Sequence, residues 1–239
     1  MDAVSLSETD RGALQELAAD LRRVFGSRLH SLAAYGLETR GMGSGLLHSL
    51  ALVERLSFDD LAACAPLAQS WRRRSLAVPL ILERDEFLRT LDIFPLEYGD
   101  IIAHHVLIAG ADPFVGARVS PADVRRACEL SAKSHLIHLR EAFMETGADP
   151  LAVGRLIAAS APSFSGLLRN IARLADDHDE DVAATAERQI GIPASVVRDV
   201  ISTGRGAHST IAEPTALLAR YIAAAERVWE YVDTWRARA

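Results

Sequence analysis

Two short apolar runs on either side of a glycine-rich loop constrain this chain most. The first, His30-Ser31-Leu32-Ala33-Ala34-Tyr35, stops at Gly36; the second is Leu46-Leu47-His48-Ser49-Leu50-Ala51-Leu52-Val53. Runs this short, apolar nearly throughout and bounded by glycine, predict strands covered on both faces. Between them Gly36, Gly41, Gly43 and Gly45 predict a loop rather than a tight hairpin.

Helix signals surround this pair. Ser5-Leu6-Ser7-Glu8 has capping-box spacing, and Leu14, Leu17, Ala18, Leu21, Val24 and Phe25 then recur on one helical face until Gly26. Ser57-Phe58-Asp59-Asp60 opens a second helix, running to Trp71 and the basic Arg72-Arg73-Arg74. Leu76–Leu82 predicts a third strand, which Pro79 places at a sheet edge or a strand start. Ile93–Ile101 and His105–Gly110 read as one or two further short strands with a turn between them.

Beyond Asp112-Pro113 the pattern changes. Ser120-Pro121-Ala122-Asp123 combines an N-cap, a proline at the first helical position and an acid at the third. It starts a long helix to about Thr146, which Gly147 stops. Asp149-Pro150 starts another, to about Asp176. Shorter helices are expected near Asp181–Gln189 and Pro193–Ser202, and a last one from Glu213 to Arg238 carries Leu217, Leu218, Tyr221, Ile222, Ala225, Val228, Trp229 and Val232 on one face. The expected fold class is α+β, with a mixed sheet-and-helix domain over residues 1–115 and a helical bundle over 116–239.

Composition narrows the function classes. With 49% hydrophobic and 24% charged residues among 239, the chain suits globular domains. A net charge of −6 argues against a protein built to coat nucleic acid. Cys64 and Cys128, far apart in apolar surroundings, fit buried hydrophobes better than a disulfide or a zinc site. The first ten residues lack the basic-then-apolar order of a secretory leader, and no uninterrupted apolar run reaches about 18 residues, so a cytoplasmic protein without a membrane span is expected.

The order helix, strand, glycine loop, strand, helix, strand resembles the minimal nucleotidyltransferase domain of the polymerase β-like family. In that family the first strand ends in Gly-Ser and an Arg-Gly or similar pair follows in the loop. The second strand then carries Ser-Asp-x-Asp. The glycines let backbone amides approach the nucleotide phosphates. The Asp-x-Asp alternation puts two carboxylates on one strand face, where with a third acid they hold two magnesium ions about 3.5–4 Å apart.

Laid on this chain, the resemblance assigns Gly36, Arg40 and Gly41 to the phosphate loop, with Leu37 in place of its serine. Leu46 stands for the strand's serine, Leu47 for the first aspartate and Ser49 for the second. The stretch Val78–Leu82 is wholly apolar, with Glu83 at its end. Ile93-Phe94-Pro95-Leu96-Glu97-Tyr98 and Gly110-Ala111-Asp112-Pro113 resemble a bacterial subset built as one transferase domain followed by a helical bundle.

The resemblance therefore implies a degenerate member, without catalytic or metal-holding residues. At most it retains nucleotide binding through Gly36, Arg40, Gly41 and Ser49, or a protein partner or homodimer through the bundle. One alternative is a working magnesium-dependent transferase that recruits other acids, such as Glu38, Glu83 or Asp85. Another is an interaction or antitoxin-like protein with no nucleotide affinity.

Other constellations read as structural. His104 and His105 adjoin Asp100, yet neighbouring strand residues face opposite ways. His135, His138 and Glu141 follow one another by single helical turns, as metal ligands can, but a hydrogen-bonded helix face accounts for them. Arg173 and His178 have the spacing of HEPN-type ribonucleases, in an acidic setting that repels RNA phosphates. The run Asp176–Asp181 lacks the glycine of a calcium loop and reads as a solvated linker. Tyr231 and Trp235 are candidates for packing on a partner.

Overall fold

The computed structural model describes residues 6–37, 45–175, 181–204 and 212–235. The chain divides into two compact units, residues 1–119 and 120–239.

In the first unit, helix α1 (Glu8–Phe25) is capped by Ser7, whose side chain accepts from the Asp10 amide at 3.1 Å. Strand β1 (Leu29–Tyr35) follows one 3-10 turn later, and β2 (His48–Val53) returns antiparallel to it. Helix α2 (Phe58–Cys64) starts in a capping box between Ser57 and Asp60. Asp60 also takes both arms of the Arg28 guanidinium, at 2.9 and 2.6 Å, which fastens α2 to the start of β1. A 3-10 turn leads into α3 (Ala68–Arg73).

Strand β3 (Leu80–Glu83) then lies parallel to β2, and α4 (Arg84–Arg89), α5 (Pro95–Ala103) and β4 (His105–Gly110) complete the unit. The strand order is β3-β2-β1-β4, with β4 antiparallel to β1.

Two expectations are corrected and one helix is added. Ile93–Ile101 is no strand: Pro95 occupies the first turn of α5, where its missing N–H costs nothing. The third strand starts only after Pro79, which cannot donate to the ladder, and Leu76 makes an isolated bridge to Leu47. Helix α4 was unforeseen, because its cap is a glutamate pair, Glu83 and Glu86, rather than a serine or threonine.

The sheet is buried on both faces. Leu32, Ala34, Leu47, Ala51 and Val53 pack with Leu14, Leu17, Leu21 and Phe25 of α1, together with Cys64 and Trp71. Ala33, Leu50 and Leu52 pack on the other side with Phe87, Tyr98, Ile101 and Phe114. The even alternation along β1 and β2 decides which residues can meet a ligand on either side.

The second unit is helical. Helices α6 (Pro121–Glu145), α8 (Val182–Ile190), α9 (Ala194–Gly204) and α10 (Pro214–Thr234) pack around α7 (Pro150–Leu174). Ser120 and Asp149 cap α6 and α7, each accepting from the amide three residues on. Along α7, Val153, Ile157, Ala161, Phe164, Leu168 and Ile171 are buried. Gly204 lets α9 approach α7 closely: a Cβ there would stand 2.7 Å from Ala161 Cβ. Among the described residues α7 is the helix long and apolar enough to cross a membrane, and 44% of its apolar window is buried inside this bundle.

Candidate functional site

The site expected from the sequence lies where β1 ends and β2 begins. Gly36 leaves β1 with φ +67, a left-handed conformation that glycine adopts without strain. Arg40 and Gly41, the other assigned loop residues, lie outside the described residues, as does Glu38.

Ser49 and Leu47 are each only 1% exposed. Leu47 packs into the α1 side of the sheet, and alternation puts Ser49 on that side with it, opposite Ala34 of β1. Among the described residues the Ser49 hydroxyl has no hydrogen-bond partner. The structure therefore brings Leu47 and Ser49 together on one face, beneath helices, and separates both from solvent.

The opposite face at this end of the sheet carries a different set. Antiparallel register pairs Tyr35 with His48 on one side and with His105 on the other, so the three side chains form a row across β2, β1 and β4. His48 is exposed, and its ring centroid is 5.8 Å from that of Tyr35. His105 packs edge-on to Phe114 at 4.5 Å, with Nδ1 3.1 Å from the Ile102 carbonyl and Nε2 3.6 Å from Asp112 Oδ1. Burial, with a further push from Tyr98, raises the Tyr35 phenol above its ordinary value, so it remains a neutral donor.

Behind the row, Phe87 meets Tyr98 at 4.7 Å and Phe114 at 5.5 Å. This aromatic layer closes over Leu50, which is 1% exposed. Sequence reasoning missed the row, because its members join only through strand pairing. The signal available was a histidine at or near the start of each apolar run, His48 and His105.

The remaining candidate acids lie elsewhere. Glu83 pairs in register with Val53, five strand steps from His48, or roughly 16 Å at about 3.3 Å per residue. Its Oε1 accepts from the Leu56 amide at 2.9 Å, and with Glu86 it caps α4. Asp85 lies in the first turn of the same helix. Among the described residues no group of three His, Cys, Asp or Glu is placed to hold a metal ion.

Among the described residues, the positions on and beside β2 do not suit magnesium in their chemistry either. Leu47 and Leu50 carry no ligand atom, His48 offers nitrogen, and Ser49 offers one neutral hydroxyl beneath the helices. Magnesium requires hard oxygen donors, usually including carboxylate.

The other histidines lie apart, with His104 at the end of α5 rather than on a strand beside His105. His104 approaches Asp100 at 3.5 Å while His105 turns to Asp112, so the two do not converge. His135 is a core residue, its Nε2 2.7 Å from the Tyr221 hydroxyl, whereas exposed His138 meets Glu141 at 3.1 Å. His178 and most of the acidic run lie outside the described residues.

The architecture matches a solved enzyme. A spectinomycin adenyltransferase from Enterococcus faecialis, whose crystal structure was determined with ATP and spectinomycin, superposes with a TM-score of 0.55 at 14% identity. The match covers 91% of this chain and 98% of that one. At that identity the likeness establishes a nucleotidyltransferase-like fold, the α+β layout of a mixed sheet followed by a helical bundle. No protein-family model matches the chain, and no curated protein matches it.

Proposed function

We propose that this chain is a nucleotidyltransferase-fold protein that has lost metal-dependent transfer and serves by binding a nucleotide or a protein partner. One observation carries the reading: neither face of β2 offers a pair of carboxylates. The alignment to the family's Asp-x-Asp selects Leu47 and Ser49, on the α1 face. Shifting it by one residue selects His48 and Leu50, on the aromatic face. The conclusion is the same in either register, so it does not depend on where the glycine loop is gapped.

What remains suits binding without turnover. Gly36, with its left-handed backbone, and the nearby His48 and Tyr35 offer donors and a ring face to a phosphate or a base; Arg40 and Gly41 are the loop residues that the resemblance adds to them. Adenylyl transfer needs two metal ions to neutralise the triphosphate and activate the acceptor. Of the acids a recruited-acid mechanism could use, Glu83 and Asp85 stand at the far end of the sheet, which weighs against them, and Glu38 lies outside the described residues.

The test is calorimetric titration of the intact protein with ATP, GTP, CTP and UTP, each with and without magnesium, beside a transfer assay with α-labelled nucleotide. The expected result is no labelled product, and any binding equal in both conditions. Tight binding that requires magnesium, or label passed to an acceptor, would overturn the proposal.

A further inference from the structure

Helix α6 shows solvent a second apolar stripe, separate from the one that faces α7 and α10. Leu130, Ile137 and Met144 are 73%, 42% and 72% exposed, and they follow one another at seven-residue intervals. Seven residues are nearly two turns, so the stripe runs almost along the helix axis for about 21 Å. A stripe of that shape fits another helix crossing at a shallow angle.

Charge decides which helix. Four residues before each stripe position, on one flank, stand Arg126, Lys133 and Arg140; Glu141 and Glu145 lie on the other flank. A two-fold axis parallel to α6 sets the basic flank of one helix against the acidic flank of its copy. Arg140 then stands level with the copy's Glu141 to within one residue, twice per pair. A perpendicular axis through Ile137 would instead set Lys133 against the copy's Arg140, like charges opposed. The surface is thus self-complementary in the parallel arrangement.

We infer that α6 is the contact of a two-fold dimer, in which Leu130, Ile137 and Met144 each meet the same residue of a second copy of this chain. The inference deepens the partner-binding part of the function proposed above. Arg140 already reaches Glu226 of α10 within its own chain, and Lys133 Nζ sits 3.6 Å from the centroid of the Trp229 ring, so the basic flank is held in place. The stems of these side chains widen the apolar strip.

Sedimentation equilibrium of the full chain tests this, since each chain weighs 25.9 kDa. Two chains per particle are expected at micromolar loading, and one for Ile137→Glu, whose far-UV circular dichroism should match the parent. Arg140→Glu should raise the dissociation constant at least tenfold, and adding Glu141→Arg should restore it. Leu130→Cys should form an inter-chain disulfide in air, because parallel copies bring the two Leu130 positions side by side.

A protein monomeric throughout, or a dimer unmoved by Ile137→Glu, overturns the inference. So does a dimer whose Leu130→Cys variant links only when mixed with Met144→Cys. None of these masses depends on nucleotide, so failure here is distinguishable from failure of the titration.

Discussion

The Trp71 indole N–H donates to Asp20 Oδ2 at 2.9 Å, joining α1 to α3 across 51 residues of chain. Both residues are buried, at 1% and 5% exposure. Arg74 adds a second tie, reaching Asp20 at 3.4 Å and Glu16 at 2.8 Å. This pair fixes the helical layer that covers Leu47 and Ser49, and so keeps that face of the sheet closed to ligands.

Asp20→Ala should therefore destabilise the protein by about 1–3 kcal/mol, the cost of leaving a buried indole donor unsatisfied. Asp20→Asn keeps an acceptor and should lose less. Urea unfolding followed by far-UV circular dichroism reads the difference. An unchanged midpoint for Asp20→Ala would mean that water satisfies the indole equally well.

Restoring the family's acids should fail, for a reason that depends on the face. Leu47→Asp and Ser49→Asp each place a carboxylate beneath α1 without a cation, and roughly 3–5 kcal/mol of stability should go with an unpaired buried charge. Leu50→Asp meets the same fate among Phe87, Tyr98 and Phe114. His48→Asp, at an exposed position, should leave the unfolding midpoint nearly unchanged. If Ser49→Asp folded normally and gained magnesium affinity, the helical face would have to be more open than its burial indicates.

Local chemistry made much of this fold readable in the sequence. The caps Ser57, Ser120 and Asp149 sit where spacing put them, because a side-chain oxygen three residues ahead of a free amide is a local arrangement, whereas α1 is capped by Ser7 with the Asp10 amide rather than by the Ser5–Glu8 box. Ile93–Ile101 misled because isoleucine, phenylalanine and tyrosine favour strands, while Pro95 and Glu97 carried the helix-start signal that tertiary packing obeyed. The site was less legible. Leu46–Val53 is apolar on both faces, so no alternation in the sequence says which residues look toward α1. The row His48, Tyr35 and His105 exists only through register with a strand 57 positions beyond His48, a pairing that no local pattern encodes.

Gly110 closes that register. It adopts φ +82 at the end of β4, and a Cβ there would fall 1.9 Å from the His30 carbonyl oxygen. Because the obstructing atom is backbone, no rotamer change relieves it. Gly110→Ala should part β1 from β4 locally and cost more than the roughly 1–3 kcal/mol of an unfavourable backbone conformation alone. Gly116, at φ +81 with open space around it, is the control and should lose less when changed to alanine. Equal losses in the two variants would show that the close approach to His30 contributes nothing.

The bundle should carry its own acid sensitivity through His135. Its ring stacks on Phe164 of α7 and bonds the Tyr221 hydroxyl of α10. Burial, with a smaller push from His138, lowers its pKa from 6.5 to about 4. Between those values the unfolded chain takes a proton that the folded chain refuses. The contribution of neutral His135 is therefore complete above pH 6.5 and drains away toward pH 4, by at most about 3 kcal/mol. Asp60, whose carboxyl Arg28 holds well below the usual range, contributes instead above about pH 4 and loses its share as the pH falls further. The two windows separate. His135→Gln keeps a polar partner for Tyr221 but cannot titrate, so its stability should vary less between pH 7 and 4.5 than the parent's. Parallel curves for parent and variant over that interval would assign the acid sensitivity to other groups.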